Sequence, residues 1–481
     1  MATEIHTALS SIVGPNNTFP AGSDKAAPYH ALFGFIVDKQ EKFVAVVLPG
    51  NIEQVQAVTR LIKAESFCIW STANAAGNGA SISNDKRPAI IVDLQRMNQI
   101  IEVNEVSAYA LVEPGVSYQQ LYDHLQKNNI PLWIDCDRNP QNSIAGSICS
   151  RQIGYTPYGD HLQMQCGMEL VLDDGELLRT GMGALPNSDT WQLFKYSFGP
   201  YWDGFFTQSN ASLVTKIGLW LMPPPPVFKP FMLTLPRLDC LEAAIEVLRP
   251  LKIASVIPNT ITIAHAMLEV APYYPRSDFA NGDTVDIDRL IKSTQVGVWN
   301  VSGALYGTQD NIDLSWEFVE STLLKIDGAK IFLEGDQEDD MGWQVQRNLM
   351  RGVPAQRPLN FDRWRGSKFM TLTTAAPMEG EAAMRQYNIV NEIVSAHNID
   401  YLCEYLLPWR VMLKRIYLPY TPGDDADRLN VSAVAKVLIK QLTNAGYGIV
   451  HEDLELRHIA NEFYQDSALA RLVERIQSGT G

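Results

Sequence analysis

Nothing in this chain pairs its cysteines. Cys68, Cys136, Cys149, Cys166, Cys240 and Cys403 form no CxxC and no His/Cys cluster at zinc spacing, which predicts buried, reduced thiols and no metal centre. Positive charge is scarce. The net charge of −15 repels nucleic acid and anionic membrane, so neither is an expected partner. No run of about 18 apolar residues is present to span a bilayer. The start, MATEIHTALSSIVG, lacks a basic segment followed by a long apolar core, which argues against a secretory signal and predicts a cytoplasmic protein. The glycosylation-type triplets at Asn16, Asn210, Asn300 and Asn430 carry little meaning in that setting. No internal repeat is visible.

What is present is a soluble-protein composition, 46% hydrophobic and 19% charged, in a chain too long for one compact core. The pattern is α+β. FVAVVLP reads as a strand, and NIEQVQAVTRLIKAES as a helix capped by Asn51. FCIWST and AIIVDL are strands, and the helix after Pro114-Gly115 ends near Asn128-Asn129. MELVLDDGELLRTG is a hairpin on Asp174-Gly175. The prolines of MPPPP, 222–226, suit neither helix nor strand and mark a boundary. A second unit follows, with strands in FMLTLP, VWNVSGALYG and KIFLEG, a helix in EAAMRQYNIVNEIVSAHN, and a strand pair in YLCEYLLPWRVMLKRIYLPYT. Between strands in the first unit lies WSTANAAGNGASIS, an uncharged loop of small residues that allows close backbone approach and suits an anion.

YTPYGDH (155–161), GMELVLDDGELLRTGMGALP (167–186), FGPYWDGFFTQSN (198–210) and LVTKIGLWLMP (213–223) together resemble the vanillyl-alcohol oxidase and 4-cresol methylhydroxylase family of flavoproteins. VWNVSGALYG and NAGYG extend the resemblance over nearly the whole chain. It implies an FAD-binding type-2 domain, residues 1–227 and 446–481, and an α+β cap domain with a large antiparallel sheet, residues 228–445. It also implies FAD in an extended pose, phenolic small-molecule substrates and pairing into a homodimer.

On this resemblance, inherited flavin positions fall at Ala73, Asn74, Ala75, Gly77, Asn78, Gly79, Asn142, Ser143, Gly146, Tyr155, Gly159 and Val214. Several have changed. ANAAGNGAS lacks the arginine and tyrosine of the family's phosphate loop, with Asn78 or Ala80 at the tyrosine position. It either holds a pyrophosphate through backbone N–H groups or is an inherited loop that holds nothing. In DCDRNPQNSIAGSI the family's acid is replaced by Arg138, beside Asp137. Pro140, Gln141 and Asn142 stand where ring-side glycines are usual. A guanidinium favours an enolate or phenolate and cannot act as base at neutral pH.

In RVMLKRIY, Leu413 or Lys414 occupies the place of a tethering histidine, so any FAD is expected to be non-covalent; Lys414 and Arg415 otherwise read as a solvated strand edge. After NAGYG, Val450 and His451 replace the family's Tyr-Arg pair. His451 is either a packed histidine or an acid, base or donor. The family's closing tail segment is missing after the last helix.

Phosphate loop, ring-side glycines, acid, tether and tail have thus all changed. The function expected is redox-inactive. Arg138, His451 and Arg410 or Lys414 bind an enolate or tropolone-like oxygen, and His451 helps expel water from a benzylic alcohol. The resulting quinone methide is guided into a hetero-Diels–Alder-type cycloaddition. The alternatives are an oxidase or dehydrogenase with non-covalent FAD, and a non-catalytic binding relic.

Overall fold

The computed structural model describes residues 2–33, 43–73, 87–209, 212–336 and 341–452, with Leu456 and a few single positions beyond. Two small sheets build the first unit. Thr18–Pro20, Phe43–Val47, Ala89–Asp93 and Cys68–Thr72 lie side by side in that order, the last three mutually parallel. The crossover from Phe43–Val47 is the helix Ile52–Ala64, and Asn51 caps it by accepting from the Gln54 N–H at 2.9 Å. Its buried Val55, Val58 and Ile62 follow helical spacing, so one stripe faces the sheet. The second sheet is antiparallel, in the order Ile100–Asn104, Tyr109–Val112, Ser212–Trp220, Gln165–Leu172, Leu177–Arg179. The Asp174-Gly175 hairpin forms as expected, with Gly175 at φ +82°, a conformation L side chains rarely adopt.

After the proline run, Val227–Leu235 opens an eight-stranded antiparallel sheet. Across it the order is Lys330–Leu333, Val227–Leu235, Trp299–Gly307, Ile261–His265, Leu402–Leu407, Val411–Tyr420, Lys368–Pro377, Gly448–Glu452. The helices Cys240–Ile253, Gln309–Leu323, Gly380–Ala396 and Asp425–Asn444 cover one face and share a core with Ile263, Tyr405, Met412 and Ile416. The other face meets the first unit. A single apolar cluster joins Ile144, Ala145, Ile148 and Tyr155 to Met232, Ala304, Leu406 and Leu413.

The last described strand lies at the border of the cap sheet. Residues 446–481 are expected with the FAD-type domain; Gly448–Glu452 pairs antiparallel with Lys368–Pro377. Leu456, Ile459 and Phe463 pack on the cap's helical core. None of the six cysteines forms a disulfide, and Cys149 alone of them is half-buried. Among the described residues no helix is long and apolar enough to cross a membrane, and no His/Cys/Asp/Glu cluster has metal-binding form.

Candidate active site between the two domains

The stretch 135–143 folds into a turn stapled by its own polar side chains. The Asp137 carboxylate accepts from the Asn139 N–H (2.8 Å), Asn142 Nδ2 (2.8 Å) and Ser147 Oγ (2.9 Å). Asn139 Nδ2 donates to Asn142 Oδ1 at 3.1 Å. Ser143 then caps the helix Ile144–Cys149 by accepting from the Gly146 N–H. Asp137 is buried and its acceptors are in use, so it shapes the turn rather than presenting a free acid.

Arg138 leaves this turn towards the cap. Its guanidinium donates to the Tyr417 hydroxyl and lies 5.4 Å from that ring's centroid. Its carbonyl accepts from the Arg357 N–H at 3.1 Å. Tyr417 donates in turn to Glu404 Oε1 at 2.7 Å. Arg415 donates to the same oxygen at 3.1 Å, and Arg357 to Oε2. Arg357 also reaches Glu269, 3.5 Å away.

The sheet explains this convergence. Glu404 and Arg415 are direct cross-strand partners, and Arg415 is opposite Thr373, so they share a face. Burial alone would raise the Glu404 carboxyl, but Arg357, Arg415 and Arg138 outweigh it and hold it at about 2. Three guanidinium groups thus gather around Glu404 and Glu269, with the Asp137 carboxylate beside Arg138 in the same cavity wall. Tyr155, fully buried, feels the same charges, and its hydroxyl has no hydrogen-bond partner among the described residues. Arg138, Asn142, Arg357, Phe369 and Thr371 line a cavity of about 660 Å³. Arg357 and Pro358 also wall a second cavity of about 290 Å³.

The sequence-expected residues divide. Arg138 and Asp137 are in the cavity wall. His451 lies opposite Thr373 in the backbone register, in line with Arg415 and Glu404. Arg410 is exposed and does not join them. Lys414 is on the other face, because neighbours along a strand point to opposite sides. There it donates to the hydroxyls of Tyr401 and Tyr405 (2.7 Å), within the helix-covered core. Nor are Lys414 and Arg415 a solvated edge: their strand is interior, and both are buried. Glu404, Arg357, Arg415 and Tyr417 were not anticipated as site residues. The signal available was a glutamate inside the apolar run LCEYLL, since buried carboxylates are seldom unpaired.

Burial pushes the Lys414 amine from its ordinary 10.5 down to about 7. Its surroundings are Tyr401, Tyr405, Cys403 and His265, the last pushed down to about 3 by burial and by Lys414. The native state therefore binds fewer protons than the unfolded chain between these values, and stability rises with pH from about 7 to 10.5. Lys414→Met is expected to stabilise the fold by about 1–3 kcal/mol at neutral pH, with the gain shrinking towards pH 10.5. Urea denaturation at two pH values checks this; a variant less stable than the parent at both would contradict it.

Of the expected flavin positions, Ala73, Gly146 and Val214 come together with Ala145 around a cavity of about 60 Å³. Asn74, Ala75, Gly77, Asn78 and Gly79 lie outside the described residues. Gly159 packs so tightly that a Cβ would meet Gly154 O and Thr260 Oγ1 at 2.8 Å. The small residues at Ala73, Ala145, Gly146 and Val214 fit the close approach of a dinucleotide. Pro140, Asn142 and Ser143, at positions expected beside a flavin ring, are buried in a stapled turn, and Arg138 reaches from it to Tyr417.

Fold and site together define an FAD-binding-type domain under an antiparallel cap. An FAD binding domain model matches residues 44–181. The chain is 33% identical over 449 residues to the flavoprotein subunit of 4-cresol dehydrogenase [hydroxylating] from Pseudomonas putida, covering 91% of this chain and 86% of that one. Among solved structures, p-cresol methylhydroxylase with substrate bound superposes with a TM-score of 0.93 at 30% identity, over 99% of this chain and 95% of that one. The 4-ethylphenol oxidase of Gulosibacter chungangensis, in its isoeugenol complex, gives 0.92 at 28%, over 99% and 94%. A 1'-carboxy-chondrochloren decarboxylase from Chondromyces crocatus is 28% identical over 314 residues, 63% of this chain and 57% of that relative. The chain belongs to the p-cresol methylhydroxylase and vanillyl-alcohol oxidase family of FAD-linked enzymes.

Proposed function

We propose that this family member is a non-redox enzyme of small-molecule specialised metabolism. It dehydrates a phenol- or tropolone-type benzylic alcohol to a quinone methide and guides that species into a hetero-Diels–Alder-type cycloaddition. The observation that carries the reading is Arg138. It stands at the turn 135–143, donates to Tyr417 and adds a third guanidinium to the group around Glu404.

A phenol placed against Arg138 gives up its proton to solvent more readily, because the charged guanidinium stabilises the oxyanion. The Tyr155 hydroxyl, buried and without a hydrogen-bond partner among the described residues, lies in the same field. The phenolate electron pair then expels the benzylic hydroxyl. That group takes a proton, assigned here to His451, and leaves as water. The substrate loses one water and no electrons. Holding an alkene beside the quinone methide contributes about 7–11 kcal/mol by proximity and orientation.

The second reading is a phenol oxidase or dehydrogenase with non-covalent FAD, favoured by the FAD-domain match and the 4-cresol dehydrogenase relative. In that case Ala73, Ala145, Gly146 and Val214 would hold the cofactor's dinucleotide portion, and FAD would supply hydride acceptance. A relative that is named a decarboxylase supports wider chemistry on this scaffold.

The test is an absorbance spectrum and product mass with and without added FAD. The expected protein is colourless, unaffected by FAD, and yields a product lighter by one water. Stoichiometric flavin that substrate bleaches would overturn the proposal in favour of the oxidase.

A further inference from the structure

The cavity of about 290 Å³ lies on the cap sheet, separate from the turn that carries Arg138. Its floor is polar but uncharged. Thr262 and Ser302 are direct cross-strand partners, and Thr234 lies opposite Asn300 on the neighbouring pair. The Asn300 amide is satisfied by Gly297, accepting at 2.9 Å and donating at 3.0 Å. The hydroxyls of Thr234, Thr262 and Ser302 donate no hydrogen bond within the described residues, although all three residues are buried. Above them stands the helix Met341–Met350, whose Gln346 is 7% exposed. Its Nε2 is buried and has no partner among the described residues. An unpaired amide N–H in such a place is costly, and a ligand oxygen would relieve it.

The charged residues in the wall, Glu269 and Arg357, face each other at 3.5 Å, so the chamber has no unpaired charge to offer an ion. Three hydroxyls and an amide donor suit acceptor oxygens of a neutral molecule. We propose that this chamber binds a neutral, carbonyl- or hydroxyl-bearing small molecule through Gln346, Thr262, Ser302 and Thr234, and that this molecule is the second reactant. The role as reactant rests on the cycloaddition proposed above; the binding does not. Arg357 and Pro358 belong to the walls of both cavities, which sets the two ligands side by side.

Calorimetric titration of the full chain with acetophenone, ethylbenzene and benzoate tests it. These share a ring and differ in a neutral acceptor, no acceptor and a charge. Acetophenone is expected to bind about tenfold tighter than ethylbenzene, and Gln346→Leu to remove that advantage. Thr262→Val and Ser302→Ala are expected to weaken acetophenone in the same direction, and they decide the matter if Gln346→Leu does not fold. Equal binding of acetophenone and ethylbenzene, tighter binding of benzoate, or folded variants that bind acetophenone as the parent does would overturn the site. If acetophenone binds as expected but no water is lost from any benzylic alcohol, the site stands and the reaction falls.

Discussion

Glu404→Gln is expected to destabilise the protein by about 3–5 kcal/mol, because it leaves the buried Arg415 and the partly buried Arg357 and Arg138 around a neutral amide. The amide keeps the shape, so the loss reports charge and not a cavity. The pH dependence follows from the same carboxyl. It sits at about 2 in the fold against an ordinary 4.5, so the native state holds fewer protons than the unfolded chain between those values. Its contribution is fully present above pH 4.5 and is lost as pH falls towards 2. The parent's stability should decline in that window, and the variant should lack that part of the decline. Removing Arg415 as well, in Glu404→Gln with Arg415→Met, is expected to restore part of the loss, since one fewer unmatched guanidinium then remains. Denaturant midpoints across pH measure all three proteins. An unchanged midpoint for Glu404→Gln at neutral pH would show that the cluster contributes nothing.

Arg138→Met is expected to lower the rate of the proposed dehydration about 10²–10³-fold, the usual loss when one donor to a developing oxyanion is removed. Arg138 is only half-buried, so the variant should fold. Arg138→Lys keeps the charge but not the planar fork over Tyr417, and should fall between the two. The pH profile separates a chemical role from a structural one. With the guanidinium gone, the substrate phenol must reach higher pH before it ionises, so the rising limb of kcat should move up in the methionine variant and much less in the lysine one. A methionine variant with the parent's rate and profile would remove Arg138 from the mechanism.

The parts of the fold that were legible are those fixed by neighbours in sequence. Asn51 announces its helix because a cap needs only the next three residues. Asp174-Gly175 announces its hairpin because the turn itself demands a positive φ. Arg138 was legible as a change from a family pattern. Its partner was not: Tyr417 is 279 residues away, and nothing in RIYLPY says which residue will reach it. Lys414 and Arg415 were read together because they are adjacent. A strand sends adjacent side chains to opposite faces, and here one joins the Glu404 cluster while the other is held by two tyrosines. Arg357 sits in a Pro-rich loop without periodicity, so only tertiary structure brings it to Glu404.

The strand Gly448–Glu452 has a consequence for how the chain is handled. It is the final strand among the described residues, yet it covers the outer border of Lys368–Pro377. Until it docks, the N–H and C=O groups along that border are free to recruit another molecule, and Met370 and Leu372 of that strand belong to the cap's buried core. Versions shortened ahead of residue 448, and nascent chains stalled there, should therefore self-associate through this border.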